Sequence, residues 1–305
     1  MQSNLQTTVN STLPISGQTA IQQAPQPNTE QSIGSILVKT GKLDSEKTEL
    51  ILKRQALKNV RFGEAAIQLG LLKEDDIRFA LARQYHYYYL LPDDLVGSDE
   101  LISAYQPFSH QAECLRTLRS QLSLRWFTTW PLRKTLSIVS AGSGEGKSYL
   151  AANLAIMFSQ LGKRTLLIDA DMRHGRQHEL FKLPNQNGLS TILSNRSDAT
   201  SIQHVPAFMD LSVLTSGPTP PNPQELLGRQ LFVSLLAYAS HEFDVVLIDT
   251  PAATLYADAT TIAVLGGGAL LVTRQDSTRL EDARKLTDRL TELGVPMVGA
   301  VLNHF

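Results

Sequence analysis

The sequence predicts an α/β protein in which a mostly parallel sheet is flanked by helices, preceded by a small, mainly helical domain and a disordered N-terminal tail. Three observations carry that expectation. From residue 136 onward, apolar runs of strand length alternate with segments of helical period. One of those runs leads into a glycine-rich turn, and two others end in acids. Residues 32–84 repeat themselves at a shift of 29. The boundaries expected are a tail at 1–30, a repeat domain at 31–92, a linker at 93–110 and the α/β domain at 111–305.

The tail is rich in Gln, Ser, Thr, Asn and Pro, and Glu30 is its one charged residue. Such a segment buries too little apolar area to offset its ordering entropy. In the repeat, the shift aligns Ile33 with Phe62, Gly34 with Gly63, Leu37 with Ala66 and Val38 with Ile67. It also aligns Gly41 with Gly70, Leu43 with Leu72, Leu52 with Leu81 and Gln55 with Gln84. Each copy reads as a short helix closed by a Gly cap, then a second helix carrying an apolar stripe. Taken alone, this is a small helical adaptor. The cluster Tyr85-His86-Tyr87-Tyr88-Tyr89 reads as an aromatic strand closing that domain, with phosphosites as the alternative.

Bulk properties exclude several classes. A formal net charge of −1 gives no pull toward nucleic acid or anionic lipid. The single cysteine, Cys114, excludes an intrachain disulfide framework and fits a reducing compartment. The apolar run 262–273 is too short to span a bilayer and is broken by three glycines, and residues 1–27 lack the basic and apolar regions of a secretory signal. A cytoplasmic location is expected.

The chemistry starts at Ala141-Gly142-Ser143-Gly144-Glu145-Gly146-Lys147-Ser148. Strand, glycine-rich turn and helix in that order make a phosphate-binding loop, or P-loop. The glycines let several N–H groups face one centre, and the helix that follows adds its positive end. Lys147 would reach the terminal phosphates, and the Ser148 hydroxyl can hold Mg²⁺. Ala141 stands where the usual pattern has its first Gly. Downstream, the strand leading to Asp169-Ala170-Asp171-Met172-Arg173 and the strand leading to Asp249-Thr250-Pro251 bring carboxylates to one sheet edge. Buried charge needs a partner, and Mg²⁺ beside a nucleotide supplies it. After the acidic linker, Glu113, Arg116 and Arg119 fall along one side of a helix.

Two resemblances follow from these residues. The repeat resembles the motif R-L-G-x-x-L-V-x-x-G-x-I closed by Gln, which marks the N-terminal domain of type II secretion and pilus-assembly ATPases. Many of those domains bind cyclic di-GMP, which implies Gln55, Arg61 and Gln84 as ligand residues here. Ser32 stands where the first copy of the motif has Arg. From residue 107 on, the sequence resembles the bacterial tyrosine kinases built on a P-loop scaffold. Their three motifs match AGSGEGKS, LLIDADMR and VLIDTP, supported by the E-x-x-R-x-x-R helix, residues 214–229 and Val301-Leu302-Asn303. With the N-terminal domain, the chain looks most like the EpsG type of exopolysaccharide chain-length-determinant autokinase.

That resemblance implies ATP and Mg²⁺ as cofactors and assigns roles by position. Gly142 to Ser148 and Tyr149 hold the phosphates, with Lys147 on the β- and γ-phosphates. Ser148 and Asp249 bind Mg²⁺, Asp171 supports the metal through water, and Asp169 is the base for the tyrosine hydroxyl. Arg173 neutralises phosphate charge or anchors its loop, and Asn303 reads the adenine edge. Glu113, Arg116 and Arg119 would join copies into an oligomer. A membrane co-polymerase would supply an activating cytoplasmic segment, placing the protein peripherally at the inner membrane. Ser143 replaces the family's usual Pro, and its C-terminal tyrosine cluster has no counterpart before Asn303-His304-Phe305. Tyr256 and the 85–89 cluster are then the candidate acceptors, or a separate protein. The rivals are a positional ATPase of the MinD/ParA kind, whose signature Lys position is Gly142 here, and a non-enzymatic cyclic di-GMP receptor.

Overall fold

The structure, a computed structural model, describes residues 32–84, 90, 97–129 and 133–305. The expected tail and the tyrosine cluster at 85–89 lie outside the described residues. Two compact units make up the chain, Met1–Tyr85 and His86–Phe305.

The first unit contains α1 (Ile33–Lys39), α2 (Ser45–Lys58), α3 (Phe62–Gln68) and α4 (Glu74–Gln84). Ser32 and Asp44 cap α1 and α2 by accepting from Ser35 N at 3.2 Å and Lys47 N at 2.7 Å. Gly41 and Gly70, equivalent in the repeat, end the first helix of each copy at φ of 73° and 68°. The copies interlock, α1 packing on α4 and α2 on α3. Leu37, Ile51, Ala65, Ala66 and Ala80 form the centre of this core. One expectation fails. The second helix of the first copy has no buried stripe: α2 buries only Ile51, while Leu50, Leu52 and Leu57 are exposed. A helix in a two-layer unit this small has one neighbour to cover it, so a single row suffices.

The second unit begins with α5 (Ile102–Tyr105) and α6 (His110–Leu122), which runs on into a π-helical turn, Ser123–Phe127. There follow β1 (Thr135–Ser140), α7 (Lys147–Ser159), β2 (Thr165–Asp169), α8 (Gln177–Leu180) and α9 (Leu189–Leu193). Next come β3 (Gln203–His204), β4 (Leu211–Leu214), α10 (Pro223–Leu227), α11 (Gln230–Glu242) and β5 (Val245–Asp249). The chain continues through α12 (Asp258–Gly266), β6 (Ala269–Arg274), α13 (Leu280–Glu292) and β7 (Met297–Asn303).

The seven strands run β3-β4-β2-β5-β1-β6-β7, all parallel except the two-residue edge strand β3. This matches the sequence expectation of a P-loop α/β fold with helices on both faces. Buried on both sides, β2 and β5 read as nearly continuous apolar runs, and β1 is buried along most of its length although it carries Ser137 and Ser140. α7 is apolar almost all round because the sheet covers one side and α5 and α6 the other. Leu150, Leu154, Ile156 and Phe158 sit there essentially without solvent contact, each contributing about 1.5–3 kcal/mol.

The segment expected to be a linker belongs to this core from Gly97 on. Leu101, Ser103 and Ala104 are buried, and the Asn153 side chain on α7 accepts from Ser103 N at 2.9 Å and donates to Glu100 O at 3.0 Å. Asp99, exposed, and Glu100, half-buried, give this stretch its acidic look and hid the buried set.

Register places the chemistry. In the β2–β5 ladder Asp169 stands opposite Asp249, and in the β1–β5 ladder Asp249 follows beside Ile138, three residues before the loop. The two acids and the phosphate loop therefore share the carboxyl edge of three adjacent strands.

Candidate active site

The loop between β1 and α7 is shaped by glycines. Gly144 and Gly146 lie at φ of 71° and 93°, and a Cβ on Gly146 would come within 2.4 Å of the Asn303 amide. Glu145, a residue with no role assigned from sequence beyond the loop pattern, is buried: its Oε1 accepts from the Thr278 hydroxyl at 2.6 Å. Lys147 folds back within the loop, its Nζ donating to Ser140 Oγ at 2.8 Å and Gly142 O at 3.4 Å. Burial pushes the Lys147 pKa below its ordinary value, and Asp249, Asp171 and Glu145 oppose that shift. A buried ammonium with two neutral acceptors is held ready for anionic oxygens.

The acids are sealed at the base of the loop. Asp169 has no exposed surface and accepts from Gln177 N at 3.0 Å and Asp171 N at 3.3 Å. Asp249 is equally buried, and its Oδ2 accepts from the Gln177 side-chain amide at 2.8 Å. Burial and then Asp249 raise Asp169 well above the usual carboxylate range. Asp249 is raised by burial, with Ser148, Gln177 and Lys147 pulling the other way. Gln177 is the residue that sequence reading missed. Its side chain also donates to Ser148 O at 3.1 Å, so one residue, through its backbone N–H to Asp169 and its side-chain amide to Asp249, joins both acids to the start of α7. A lone Gln eight residues beyond a strand acid carries no pattern that would reveal it.

Asp171 lies higher, lining the cleft, and its Oδ1 accepts from Arg173 N at 3.1 Å and His174 N at 2.9 Å. Arg173 is anchored: its Nε donates to Asp258 Oδ2 at 2.9 Å and its guanidinium stacks 4.0 Å from the Tyr256 ring centre. Hydrogen bonding to Asp258 raises its pKa further.

Arg274 and Asn303 stand opposite each other in the β6–β7 ladder. Asn303 donates to Glu145 O at 2.8 Å, and Arg274 donates to Phe305 O at 2.9 Å while lying 4.4 Å from that ring. Tyr149 also lines the cleft, where burial and Glu100 raise its pKa. Glu113, Arg116 and Arg119 do lie on α6 as expected. Within the chain Arg116 pairs with Glu113 and with Pro107 O, and Arg119 reaches Met157 O at 3.5 Å. Gln55 and Gln84 lie in α2 and α4, and Arg61 caps α3, all in the first unit.

Phosphate loop, Tyr149, Asp171, Arg274 and Asn303 surround one cavity of about 1320 Å³. That is ample for a nucleotide with a second reactant. A divalent cation fits the acids beneath it. Asp249 Oδ1 is buried without a hydrogen-bond partner, and Asp169 stands opposite it on the neighbouring strand. Among the described residues no cluster of three or more His, Cys, Asp or Glu forms a metal cage. Mg²⁺ meets such a site well, because it takes one or two protein oxygens and completes its shell with water and phosphate. Ser148 and Asp249 are the residues that would hold it. When bound, Mg²⁺ would neutralise charge on the phosphates.

Sheet order, loop and acids together define a P-loop nucleotide-binding enzyme. Residues 131–304 match the family model described as ParA, NUBPL iron-transfer P-loop NTPase. The tyrosine-protein kinase YwqD of Bacillus subtilis is 37% identical over 203 residues, covering 67% of this chain and 85% of that one. Two solved structures align closely. The kinase domain of the Escherichia coli tyrosine kinase ETK has TM-score 0.64 at 33% identity, over 67% of this chain and 79% of that one. The chimerical protein CapA2B2 has TM-score 0.63 at 33% identity, over 76% and 98%. The chain belongs to the bacterial tyrosine-protein kinases, and residues 131–304 of it to the P-loop NTPases.

Proposed function

We propose that this kinase transfers the γ-phosphoryl group of Mg-ATP to protein tyrosine in support of export or polymerisation of an extracellular polysaccharide. The observation that carries the reading is the pair Asp169 and Asp249, side by side beneath the loop lysine. A hydrolytic switch needs a positioned water, whereas a tyrosine hydroxyl needs a base, and a carboxylate raised toward neutrality suits that task. Asp169 is that base. The backbone of Asp171 and Gln177 covers its oxygens, so the acceptor hydroxyl reaches it when that segment draws aside. Lys147 would leave Ser140 for the β- and γ-phosphates, Asp171 would help hold Mg²⁺ through water, and Arg173 would neutralise developing charge. Asn303 lines the cleft beside the phosphate loop and would contact the base of the nucleotide.

Family resemblance supports two partners. A membrane co-polymerase supplies an activating cytoplasmic segment, and copies of the kinase assemble through the α6 face bearing Glu113, Arg116 and Arg119. No helix among the described residues is long and apolar enough to cross a membrane, so membrane association would come through that partner. The protein is incubated with Mg-ATP and a tyrosine-containing polymer, with and without that segment. Phosphotyrosine should form and should increase with the segment; none under either condition would overturn the reading.

The first unit gives a second, separable element. Its repeat supports binding of cyclic di-GMP through Gln55, Arg61 and Gln84. Calorimetric titration should detect binding to the full chain and at least a tenfold loss in Arg61→Ala, since a charge-assisted bond to phosphate contributes roughly 1.5–3 kcal/mol. No heat with the unmodified chain removes this element and leaves the kinase reading intact.

A further inference from the structure

Gln177 opens α8 and has no exposed surface, an uncommon setting for a side-chain amide. Its neighbours dictate how that amide points. Asp249 Oδ2 at 2.8 Å and Ser148 O at 3.1 Å are both acceptors, so the amide nitrogen must face them. The amide oxygen, Oε1, is then left buried with no partner. Asp249 has a matching gap. Its Oδ2 is held by Gln177, while its Oδ1 is buried with no partner. Buried acceptors without donors are rare, and here two belong to one hydrogen-bonded pair.

Mg²⁺ with its water shell brings what both groups lack, a cation for the carboxylate and water protons for the amide. The ion demands near-octahedral geometry, so a carboxylate that binds it must present one oxygen in a fixed direction. A donor on the second oxygen stops the carboxylate from rotating. Gln177 is such a donor, and it is itself fixed from two sides. Its backbone N–H donates to Asp169 Oδ2 at 3.0 Å, at the end of β2, and its side chain donates to Ser148 O on the first turn of α7. The orientation of Asp249 is thus set jointly by the neighbouring strand and by the helix that follows the phosphate loop.

We propose that Gln177 is a positioning residue for Mg²⁺, holding Asp249 by Oδ2 so that Oδ1 stays free for the metal. It contacts neither nucleotide nor acceptor and acts through Asp249. The inference rests on the placing of Mg²⁺ at Ser148 and Asp249 in the reading above, and it holds whichever acceptor receives the phosphoryl group. Removing a partner that orients a metal-binding carboxylate costs about 10–100-fold in metal affinity.

ADP is titrated calorimetrically into the full chain, first with divalent metal chelated and then across a range of Mg²⁺ concentrations. In the unmodified chain Mg²⁺ should tighten ADP binding, and Asp249→Asn should abolish that tightening. Gln177→Met is close in volume and lacks the donor. It should raise the Mg²⁺ concentration for half of the tightening about 10–100-fold and leave metal-free ADP affinity unchanged. Gln177→Ala supplies the same readout if the methionine variant does not fold. Combining Gln177→Met with Asp249→Asn should add nothing to Asp249→Asn alone, because the effect passes through Asp249. An unchanged Mg²⁺ response in the Gln177 variants overturns this proposal alone. So does an equal loss of ADP affinity with and without metal, which would make Gln177 a support for α7 only. No Mg²⁺ effect in the unmodified chain overturns the metal placement and this proposal together. The expected Mg²⁺ responses without phosphotyrosine on a tyrosine-containing polymer given Mg-ATP would remove the kinase reading and leave this proposal standing.

Discussion

Lys147→Met is expected to lower phosphoryl transfer by roughly 10²–10³-fold, the usual cost of removing one preorganised charge from a transferring group. Folding should not suffer. Lys147 is buried and its pKa is depressed by that burial, so its ammonium destabilises the empty fold wherever it stays protonated. A base with a lowered folded pKa loses stability as pH falls below its ordinary value of 10.5. Methionine keeps the length of the side chain without the charge. Melting temperature at neutral pH should therefore hold or rise while phosphotyrosine formation collapses. Activity and melting temperature falling together would mean that Lys147 only supports the loop.

The second large effect is at the buried acids. Asp169→Asn should lower transfer by about 10²–10⁴-fold, as expected on removal of a general base. It should also stabilise the metal-free protein. Asp169 is raised by burial and by Asp249, so the folded state binds its proton more tightly than the unfolded chain does. Its contribution is thus unfavourable once pH rises above the ordinary value of 3.8, and the penalty grows up to the folded pKa. The melting temperature of Asp169→Asn should exceed that of the unmodified chain at pH 7 and converge with it toward pH 4. At about 2–4 °C per kcal/mol for a unit of this size, calorimetry resolves the difference. A variant less stable at pH 7 would mean that Asp169 acts chiefly as a hydrogen-bond acceptor for the Asp171–Gln177 segment.

Much of the fold was legible because backbone geometry leaves local signatures. The phosphate loop announces itself through Gly144 and Gly146, whose positive φ few other residues accept. β2 and β5 are recognisable as apolar runs ended by Asp169 and Asp249, and the repeat in the first unit returns as paired helices with Gly41 and Gly70 at equivalent turns. What stayed hidden depends on register and on distant chain. Gln177 matters because a parallel ladder sets Asp169 beside Asp249, and no spacing in the sequence encodes that meeting. Asp258 and Thr278 act on Arg173 and Glu145 from 85 and 133 residues away. The stretch from Gly97 to Ala104 read as linker because it is turn-prone and carries Asp99 and Glu100, although Leu101 and Ala104 are core residues. The apolar stripe expected on the second helix of the first copy is not buried, since α2 buries Ile51 alone and leaves Leu52 exposed.

These errors share a cause: period and composition report how a segment could be buried, and only its neighbours decide whether it is. The motif residues depend less on such neighbours, because they fall at strand ends whose position in the sheet follows from the fold class.

The fate of the γ-phosphoryl group tests the central claim most directly. ATP labelled at that position is incubated with the full chain, Mg²⁺, a tyrosine-containing polymer and the activating segment of the membrane partner. The label is then divided between protein-bound phosphotyrosine and free orthophosphate. The account predicts label on tyrosine that disappears in Lys147→Met and Asp169→Asn. Orthophosphate release with no label on tyrosine would contradict it and return the protein to the hydrolytic switches of the same fold.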